Sequence, residues 1–284
     1  MRGHFLRASR ASAWTPARIT TSLWLDAVDT STVIQSSGNV TAWKDKSGNG
    51  NNAPASGTPT YSATGLSTGL PAVQLNGTNA YFTPSIPGIG SLNTLDVYMV
   101  VQSSAAAAAD TNSGMFFGYG NNSNTGGPYP AFKAINFFSQ TANLSGETIA
   151  LLVENGSAGR LGSSSYARAA NTAQMLNARF STTGTTLFSN GTAVTLNLAT
   201  SGTATSTNFA PSALGYTIDN ILSIGAVRSS GTFQISPAIK FAKFVVVPSA
   251  LSTADRQRME GWMAWESGLA ASLPTGHPYK NAAP

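Results

Sequence analysis

The sequence predicts an all-β protein, an antiparallel two-sheet β-sandwich with one α-helix near the C-terminus. Short apolar runs separated by Gly, Asn, Ser and Pro continue from residue 22 to residue 247. Many short strands at such spacing are typical of a sandwich or barrel and not of alternating strands and helices. Helical periodicity is almost absent before residue 252. One large sandwich with terminal extensions therefore accounts for the 284 residues.

Each apolar run predicts one strand. Asn190 and Gly191 favour a tight type I′ turn between two of these strands. Trp24 and Trp43 alternate with polar neighbours, so both are predicted to enter the core. The predicted strands are 22–26, 40–45, 72–76, 95–102, 115–119, 134–138, 149–154, 174–181, 186–189, 193–198, 221–227 and 239–247.

One helix is predicted over residues 253–267. Ser252 and Asp255 have the spacing of a capping box, and Gly268 provides a natural stop. The chain is thus predicted to divide into an N-terminal arm (1–19), the sandwich (20–250) and a C-terminal helix with an irregular tail (251–284).

The composition excludes several classes of protein. Charged residues make up 10% of the chain, against roughly 25% in an average soluble domain. The chain has no Cys, which excludes disulfides, thiolate nucleophiles and Cys-ligated zinc. No apolar run approaches the roughly 18–20 residues that span a bilayer, so no membrane partner is predicted.

The net charge of +5 belongs mostly to the N-terminal arm. Arg2, Arg7, Arg10 and Arg18 lie among the first 18 residues without any acid, and the rest of the chain has 12 basic residues against 11 acidic ones. A nucleic-acid-binding domain would show a basic stripe interleaved with aromatic residues. No such stripe is visible, so no nucleic acid is predicted as a partner.

The ionisable residues do not form a catalytic pattern. Two carboxylates that flank a glycosidic bond would be expected two or four residues apart on one strand. Asp26 and Asp29 are three residues apart, and Glu147 and Glu154 are seven apart. The two histidines, His4 and His277, lie outside the predicted sandwich. The protein is therefore predicted not to be an enzyme.

Two loops could hold a ligand. Asp45, Ser47 and Asn49, followed by Gly50, reproduce the opening of a calcium loop, although the twelfth position carries Ser56 and not an acid. The alternative is a turn held by side-chain-to-backbone hydrogen bonds, and no cofactor is predicted. A second loop gathers aromatic and amide side chains suited to glycan, with an ordinary polar loop as the alternative. Its candidate residues are Tyr119, Asn121, Asn122, Asn124 and Tyr129.

Segments at both ends of the chain resemble one known family. The N-terminal segments are WTPA (14–17), LWLDA (23–27), VTAWKDKSGNG (40–50) and PAVQLNG (71–77). The C-terminal ones are Leu251 and Ser252 before the helix, Leu273 and Pro274, and His277, Pro278 and Tyr279. Together they resemble the concanavalin A-like, laminin-G-like jelly-roll domains of tailed-phage virion proteins.

The resemblance implies a jelly-roll sandwich and a non-enzymatic structural component at the surface of a phage particle. A head-surface decoration or spike protein, anchored by its terminal segments to other virion proteins and forming a homo-oligomer, is the main hypothesis. A tail-fibre or adsorption protein that binds host glycan is one alternative, and a bacterial carbohydrate-binding module is another. An enzyme ranks last, because no catalytic pattern is visible. The fold alone does not choose among these functions, since this sandwich carries many of them.

The assembly hypothesis selects residues in both terminal segments. In the arm they are Arg2, Phe5, Leu6, Arg7, Arg10, Trp14 and Arg18. In the C-terminal segment they are Trp262, Trp265, His277 and Tyr279. Trp262 and Trp265 are three residues apart on the helix, so one is predicted to face the sheet and the other a neighbouring subunit.

Overall fold

The structure is a computed structural model that describes residues 14–104, 114–121, 133–139, 149–155, 158–163, 169–198, 210–214, 220–229, 232–235 and 238–284. Within these ranges every strand pairing is antiparallel. The strands are β1 (Leu23–Asp26), β2 (Val33–Ser36), β3 (Asn39–Trp43), β4 (Ala53–Ser56), β5 (Thr60–Ser62), β6 (Ala72–Gln74), β7 (Tyr81–Phe82), β8 (Thr94–Ser103), β9 (Gly114–Asn121), β10 (Lys133–Ser139), β11 (Ile149–Asn155), β12 (Ala158–Ser163), β13 (Gln174–Ser181), β14 (Thr186–Ser189), β15 (Thr192–Val194), β16 (Asn197–Leu198), β17 (Leu222–Ile224), β18 (Ala226–Ser229), β19 (Thr232–Ile235) and β20 (Ile239–Val247).

The described strands form two large sheets and a separate hairpin of β18 and β19. Sheet A has eight strands in the order β15-β14-β13-β8-β20-β6-β5, and β1 also pairs with β20. Sheet B has ten strands in the order β16-β12-β11-β10-β9-β17-β7-β4-β3-β2. β1 and β6 share one edge of β20, because β1 pairs with residues 243–246 and β6 with residues 240–241.

The main core fills the space between the two sheets. On β8 the side chains of Leu95, Val97 and Met99 point into it at alternate positions, as the pleat of a strand requires. Sheet B contributes Phe117, whose ring lies 5.8 Å from that of Phe244 on sheet A, in an edge-to-face arrangement. These contacts confirm the predicted two-sheet β-sandwich.

A second, smaller core lies on the outer face of sheet A, under the helix α1 (Thr253–Glu266). Tyr98 and Val100 point outward from β8 into this core, where Met259 and Met263 cover them. Strands β8 and β20 are therefore buried on both faces, which explains their nearly continuous apolar sequences. Burial on two faces removes the polar side of the usual alternation.

The two tryptophans predicted for the core are both buried, but in different cores. Trp43 lies between the sheets. Trp24 lies in the second core, where its ring meets that of Trp262 edge-on at 5.6 Å.

The predicted caps of the helix are confirmed. The Ser252 hydroxyl accepts a hydrogen bond from the Asp255 amide at 3.1 Å and donates one to the Asp255 carboxylate at 2.9 Å. Gly268 follows the helix with φ of 71°. The Leu269 amide donates to the Ala264 carbonyl at 2.7 Å, which closes the last turn.

Two predicted strands are interrupted in the structure. The segment 193–198 is divided between β15 in sheet A and β16 in sheet B, so the chain changes sheet there. The segment 221–227 is broken at Gly225, whose φ is 77° and where a Cβ atom would lie 1.9 Å from Leu75 Cδ1. The prediction missed the short strands β2, β4, β5, β7, β12 and β19.

Candidate functional site

A small polar pocket opens at one end of the outer face of sheet A, and none of its lining residues belongs to α1. Its volume is about 50 Å³. Since about 10–15 Å³ already holds one water molecule, the pocket has room for a few waters or one small polar group. It is lined by Gln74, Gln102, Ser104, Asn171, Ala238 and Lys240.

Three of these side chains form one row across adjacent strands. Lys240 of β20 is directly opposite Gln74 of β6 on one side and Gln102 of β8 on the other. Directly opposite residues have Cβ atoms about 4.5–5.5 Å apart, so the three side chains are neighbours. The next residues along, Val101 and Phe241, point into the main core, which fixes the row on the outer face.

Two members of the row attach a loop to the sheet. The Gln102 Oε1 accepts a hydrogen bond from the Ser67 amide at 2.6 Å, and the Lys240 Nζ donates to the Gly65 carbonyl at 2.7 Å. The Ser67 hydroxyl accepts from the Ala173 amide at 2.9 Å. These hydrogen bonds fix the positions of the Gln102 and Lys240 side chains that line the pocket.

The described lining of the pocket carries one positive charge, that of Lys240, and no negative charge. Among the described residues, no carboxylate oxygen lies within 4.0 Å of the Lys240 ammonium. The amide groups of Gln74 and Asn171 make no side-chain hydrogen bond to another described residue. These groups can donate hydrogen bonds to a polar ligand.

A buried ionic network lies between sheet A and the start of α1. Asp96 of β8 is fully buried and accepts hydrogen bonds at 2.6 Å from both Arg179 Nη2 and Asn177 Nδ2. Arg179 Nη2 also donates to the Leu251 carbonyl at 3.2 Å, just before the helix. Burial raises the pKa of Asp96, and the nearby Arg179 guanidinium opposes that shift.

Glu260 forms a second network between α1 and the C-terminal tail. Its carboxylate contacts Arg256 Nη1 at 2.5 Å and His277 Nε2 at 3.2 Å. Burial raises the pKa of Glu260 to about 7, against the opposing effect of Arg256, and burial also lowers the pKa of His277. Because Glu260 and His277 are both buried, this network fastens the tail and is closed to a substrate.

The acids Asp26 and Asp29 are also engaged in ion pairs. Asp26 contacts the fully buried Lys243 ammonium at 2.6 Å and that of Lys46 at 3.4 Å. Asp29 contacts Lys46 at 2.8 Å. The Lys243 ammonium lies 4.4 Å from the centre of the Trp262 ring, which adds a cation–π contact. The Asp26–Lys243 ion pair is therefore part of the packing of the second core, next to the Trp262 ring.

The assembly residues of the arm lie mostly outside the described residues: Arg2, Phe5, Leu6, Arg7 and Arg10. Trp14 is half-buried against the second core, and Arg18 is exposed. Pro16 is buried and Ile19 also packs on the second core, so residues 14–19 contact the body of the protein.

Of the residues predicted to contact a partner through the C-terminal segment, one is openly exposed. Trp262 and His277 are buried within the protein itself, and Tyr279 is half-buried. Trp265 is 41% exposed, and its Nε1 donates a hydrogen bond to the Tyr279 carbonyl at 2.8 Å. The tail folds back onto its own helix, so its aromatic residues bury their surface there.

The first residue of the predicted glycan loop, Tyr119, is buried and does not face solvent. Tyr119 is 1% exposed and belongs to the main core, because it shares the inner face of β9 with Phe117 two residues earlier. Asn121 ends β9, and Asn122, Asn124 and Tyr129 lie outside the described residues.

The loop with the calcium-like spacing is held by its own hydrogen bonds. Asp45 Oδ1 accepts from the amides of Trp24 and Ser47, at 2.9 and 2.8 Å. Asp45 Oδ2 accepts from the Ser47 hydroxyl at 2.7 Å and the Asn51 amide at 3.0 Å, and Asn49 Nδ2 donates to the Thr21 carbonyl at 2.7 Å. These residues therefore do not fit a cation, since four donors surround the carboxylate. Across the described ranges, no three His, Asp or Glu side chains gather to hold a metal ion.

The pocket was not predicted from the sequence. A signal was present, because Gln102 and Lys240 are among the few polar residues of two mostly apolar strands. Placing them beside Gln74 requires the strand order, which the sequence does not show. None of the helices in the described part reaches the length and apolar character needed to cross a bilayer.

No protein-family model matches the sequence, and no curated protein matches it. The structure is similar to the receptor-binding domain of a botulinum neurotoxin of mosaic serotype C/D, with a TM-score of 0.51 and 11% identity. That match covers 84% of this chain and 50% of the other, so the chain spans about half the length of the toxin domain.

The structure is also similar to domain 4 of AbnA, a GH43 extracellular arabinanase from Geobacillus stearothermophilus, in complex with arabinotriose. The TM-score is 0.50 and the identity 13%, over 83% of this chain and 95% of that domain. At such identities the likeness shows the fold alone. The chain therefore folds as a concanavalin A-like β-sandwich with one C-terminal helix.

Proposed function

We propose that the protein is a non-catalytic carbohydrate-binding module and that the polar pocket beside Lys240 is its binding site. The observation that carries the proposal is the row of Gln74, Lys240 and Gln102, which lines a polar cavity. Amide and ammonium groups at fixed positions are suited to sugar hydroxyls, because they supply oriented hydrogen bonds.

The fold comparisons support the same function. The match to the arabinanase domain covers 95% of that domain, whose structure contains arabinotriose. The matching toxin structure is a receptor-binding domain. The small pocket would hold one substituent of a sugar while the rest of the glycan lies on the surrounding surface. This function corresponds to the glycan-binding alternatives of the sequence analysis.

A glycan array probed with the full chain tests the proposal, followed by titration of the sugars retained. The variant Gln74→Ala removes an amide from the pocket, and Gln35→Ala removes an exposed amide from β2 of sheet B as a matched control. We expect binding to fall about tenfold in Gln74→Ala and to stay unchanged in Gln35→Ala. Failure to retain any glycan would refute the proposal.

A place in a phage particle, as a head-surface decoration or spike protein or as a tail-fibre component, is supported only by the resemblance of the terminal segments. Trp265 is the described residue best placed for such a contact, since it is exposed. Particles purified from the organism that carries the gene would be probed for the chain with an antiserum. Stoichiometric incorporation, lost in Trp265→Ala, would support this placement, and absence from the particles would refute it.

A further inference from the structure

We infer that the pocket selects sugars that carry a carboxylate and that Lys240 recognises the negative charge. The inference rests on the proposed glycan-binding function and makes it more specific. It starts from the central position of Lys240 in the row, between two glutamines whose amides can donate hydrogen bonds.

The charge of Lys240 is not neutralised within the described part of the protein. Lys240 is half-buried, and its ammonium donates a hydrogen bond to the uncharged Gly65 carbonyl. Burial of a charge costs free energy unless an opposite charge compensates it. Lys243, whose ammonium is fully buried, has such a partner in Asp26 at 2.6 Å. An anionic ligand would supply for Lys240 what Asp26 supplies for Lys243.

The size and the donors of the pocket favour a carboxylate as the anion. A volume of about 50 Å³ accepts a carboxylate but not a whole sugar ring. A carboxylate presents two oxygens in one plane, so one can accept from the Lys240 ammonium and the other from the amide of Gln74 or Gln102. The ammonium retains two protons after its bond to Gly65, which leaves it able to donate.

The experiment compares pairs of sugars that differ only in the oxidation of C6. Glucuronate with glucose, and galacturonate with galactose, would be titrated into the full chain by calorimetry, with glucose 6-sulfate as a tetrahedral anion. The variants are Lys240→Gln, which removes the charge, Lys240→Arg, which keeps it, and Lys44→Gln, which removes an exposed charge after β3 as the matched control.

We expect each uronate to bind the wild-type protein about tenfold more tightly than its neutral partner, since hydrogen bonds to charged groups are the stronger ones. Lys240→Gln should abolish this preference, and Lys44→Gln should retain it. Lys240→Arg should retain part of it. If Lys240→Gln does not fold, as judged by its thermal transition, the wild-type preference should still shrink as salt increases.

The outcomes separate the two proposals. Binding of glycans without any preference for uronates, or a preference that survives Lys240→Gln, would overturn the inference and leave the glycan-binding function standing. Glucose 6-sulfate bound as tightly as glucuronate would overturn the choice of a carboxylate. If neither neutral nor acidic glycans bind, both proposals fail.

Discussion

Asp45 holds the loop between β3 and β4 through both of its carboxylate oxygens. The four donors around it come from Trp24, Ser47 and Asn51, and the Trp24 amide belongs to β1. Asp45 thus attaches the loop to β1, and the side-chain amides of Asn49 and Asn51 add hydrogen bonds to the Thr21 and Ser22 carbonyls. The same spacing of Asp, Ser and Asn that suggests a calcium loop therefore has a purely structural use here.

Replacement of Asp45 by Ala should lower the free energy of unfolding by about 2–3 kcal/mol, because several backbone donors lose a charged acceptor at once. Denaturation in urea measures the change. Millimolar calcium should leave the thermal transition of the wild-type protein where it is. A transition raised by calcium, or an Asp45→Ala variant as stable as the wild type, would contradict this account of the loop.

Glu260 should make the stability of the protein dependent on pH. Its pKa is raised from 4.5 to about 7 by burial, so the folded state holds the proton more tightly than the unfolded chain does. The free energy of unfolding should then fall as pH rises from about 4.5 to about 7, by up to about 3 kcal/mol. The charged or titratable groups that interact with it are Arg256, His277, Asp96 and Tyr98.

The variant Glu260→Gln isolates this effect. It keeps the shape of the side chain and retains His277, whose lowered pKa acts in the opposite sense by costing stability as pH falls below 6.5. Relative to wild type, Glu260→Gln should become more stable as pH rises from 5 to 8. Denaturation curves at both pH values measure the difference, and a constant difference would show that Glu260 does not titrate in this range.

At the scale of elements, the packing of the tail onto α1 depends on a glycine inside the helix. A Cβ atom at Gly261 would lie 2.5 Å from the Tyr279 Cβ, so only glycine lets the tail approach this closely. Glycine in a helix interior normally costs about 1 kcal/mol relative to alanine. In this helix, the close packing of Tyr279 against Gly261 offsets that cost.

Gly261→Ala should therefore destabilise the protein by about 1–2 kcal/mol, although alanine is the better helix former. Overpacking against Tyr279 outweighs the gain in propensity. Thermal unfolding would be compared with that of Gly276→Ala, where an added Cβ meets nothing within 4 Å. If Gly261→Ala unfolds at a higher temperature than the wild type, the tail must move away from the added methyl group at little cost in free energy.

Elements marked by a clear capping pattern or a long apolar run were predicted well from the sequence. The helix and the strands over 174–181, 186–189 and 239–247 were predicted with boundaries within one residue, since capping residues and apolar runs mark them. Strands β2 and β4 escaped prediction because each is short and buries only its first residue, Val33 or Ala53, so neither shows a clear apolar pattern. The pocket also escaped prediction, since only the order of β6, β20 and β8 brings its residues together.

For the whole molecule, the three layers imply that the C-terminal segment is part of the folded body. Sheet B covers one face of sheet A, and α1 with the tail covers the other. Tyr98 and Val100 of β8 and Val245 and Val247 of β20 are buried in that second core. A sheet exposed on this face would present a continuous apolar surface to water, which favours association.

Deletion of residues 251–284 should therefore abolish cooperative unfolding and lead to aggregation, because it also leaves the buried charges of Asp96 and Lys243 without their cover. The matched control deletes only residues 281–284, which are mostly exposed and whose backbone contact with the body is one long hydrogen bond, from the Trp14 amide to the Pro284 carbonyl at 3.4 Å. That shorter deletion should unfold cooperatively near the wild-type temperature. Calorimetry and size-exclusion chromatography would distinguish the two. A long deletion that unfolds as one cooperative, monomeric unit would mean that the two sheets suffice, and that α1 is an attachment and not a layer of the fold.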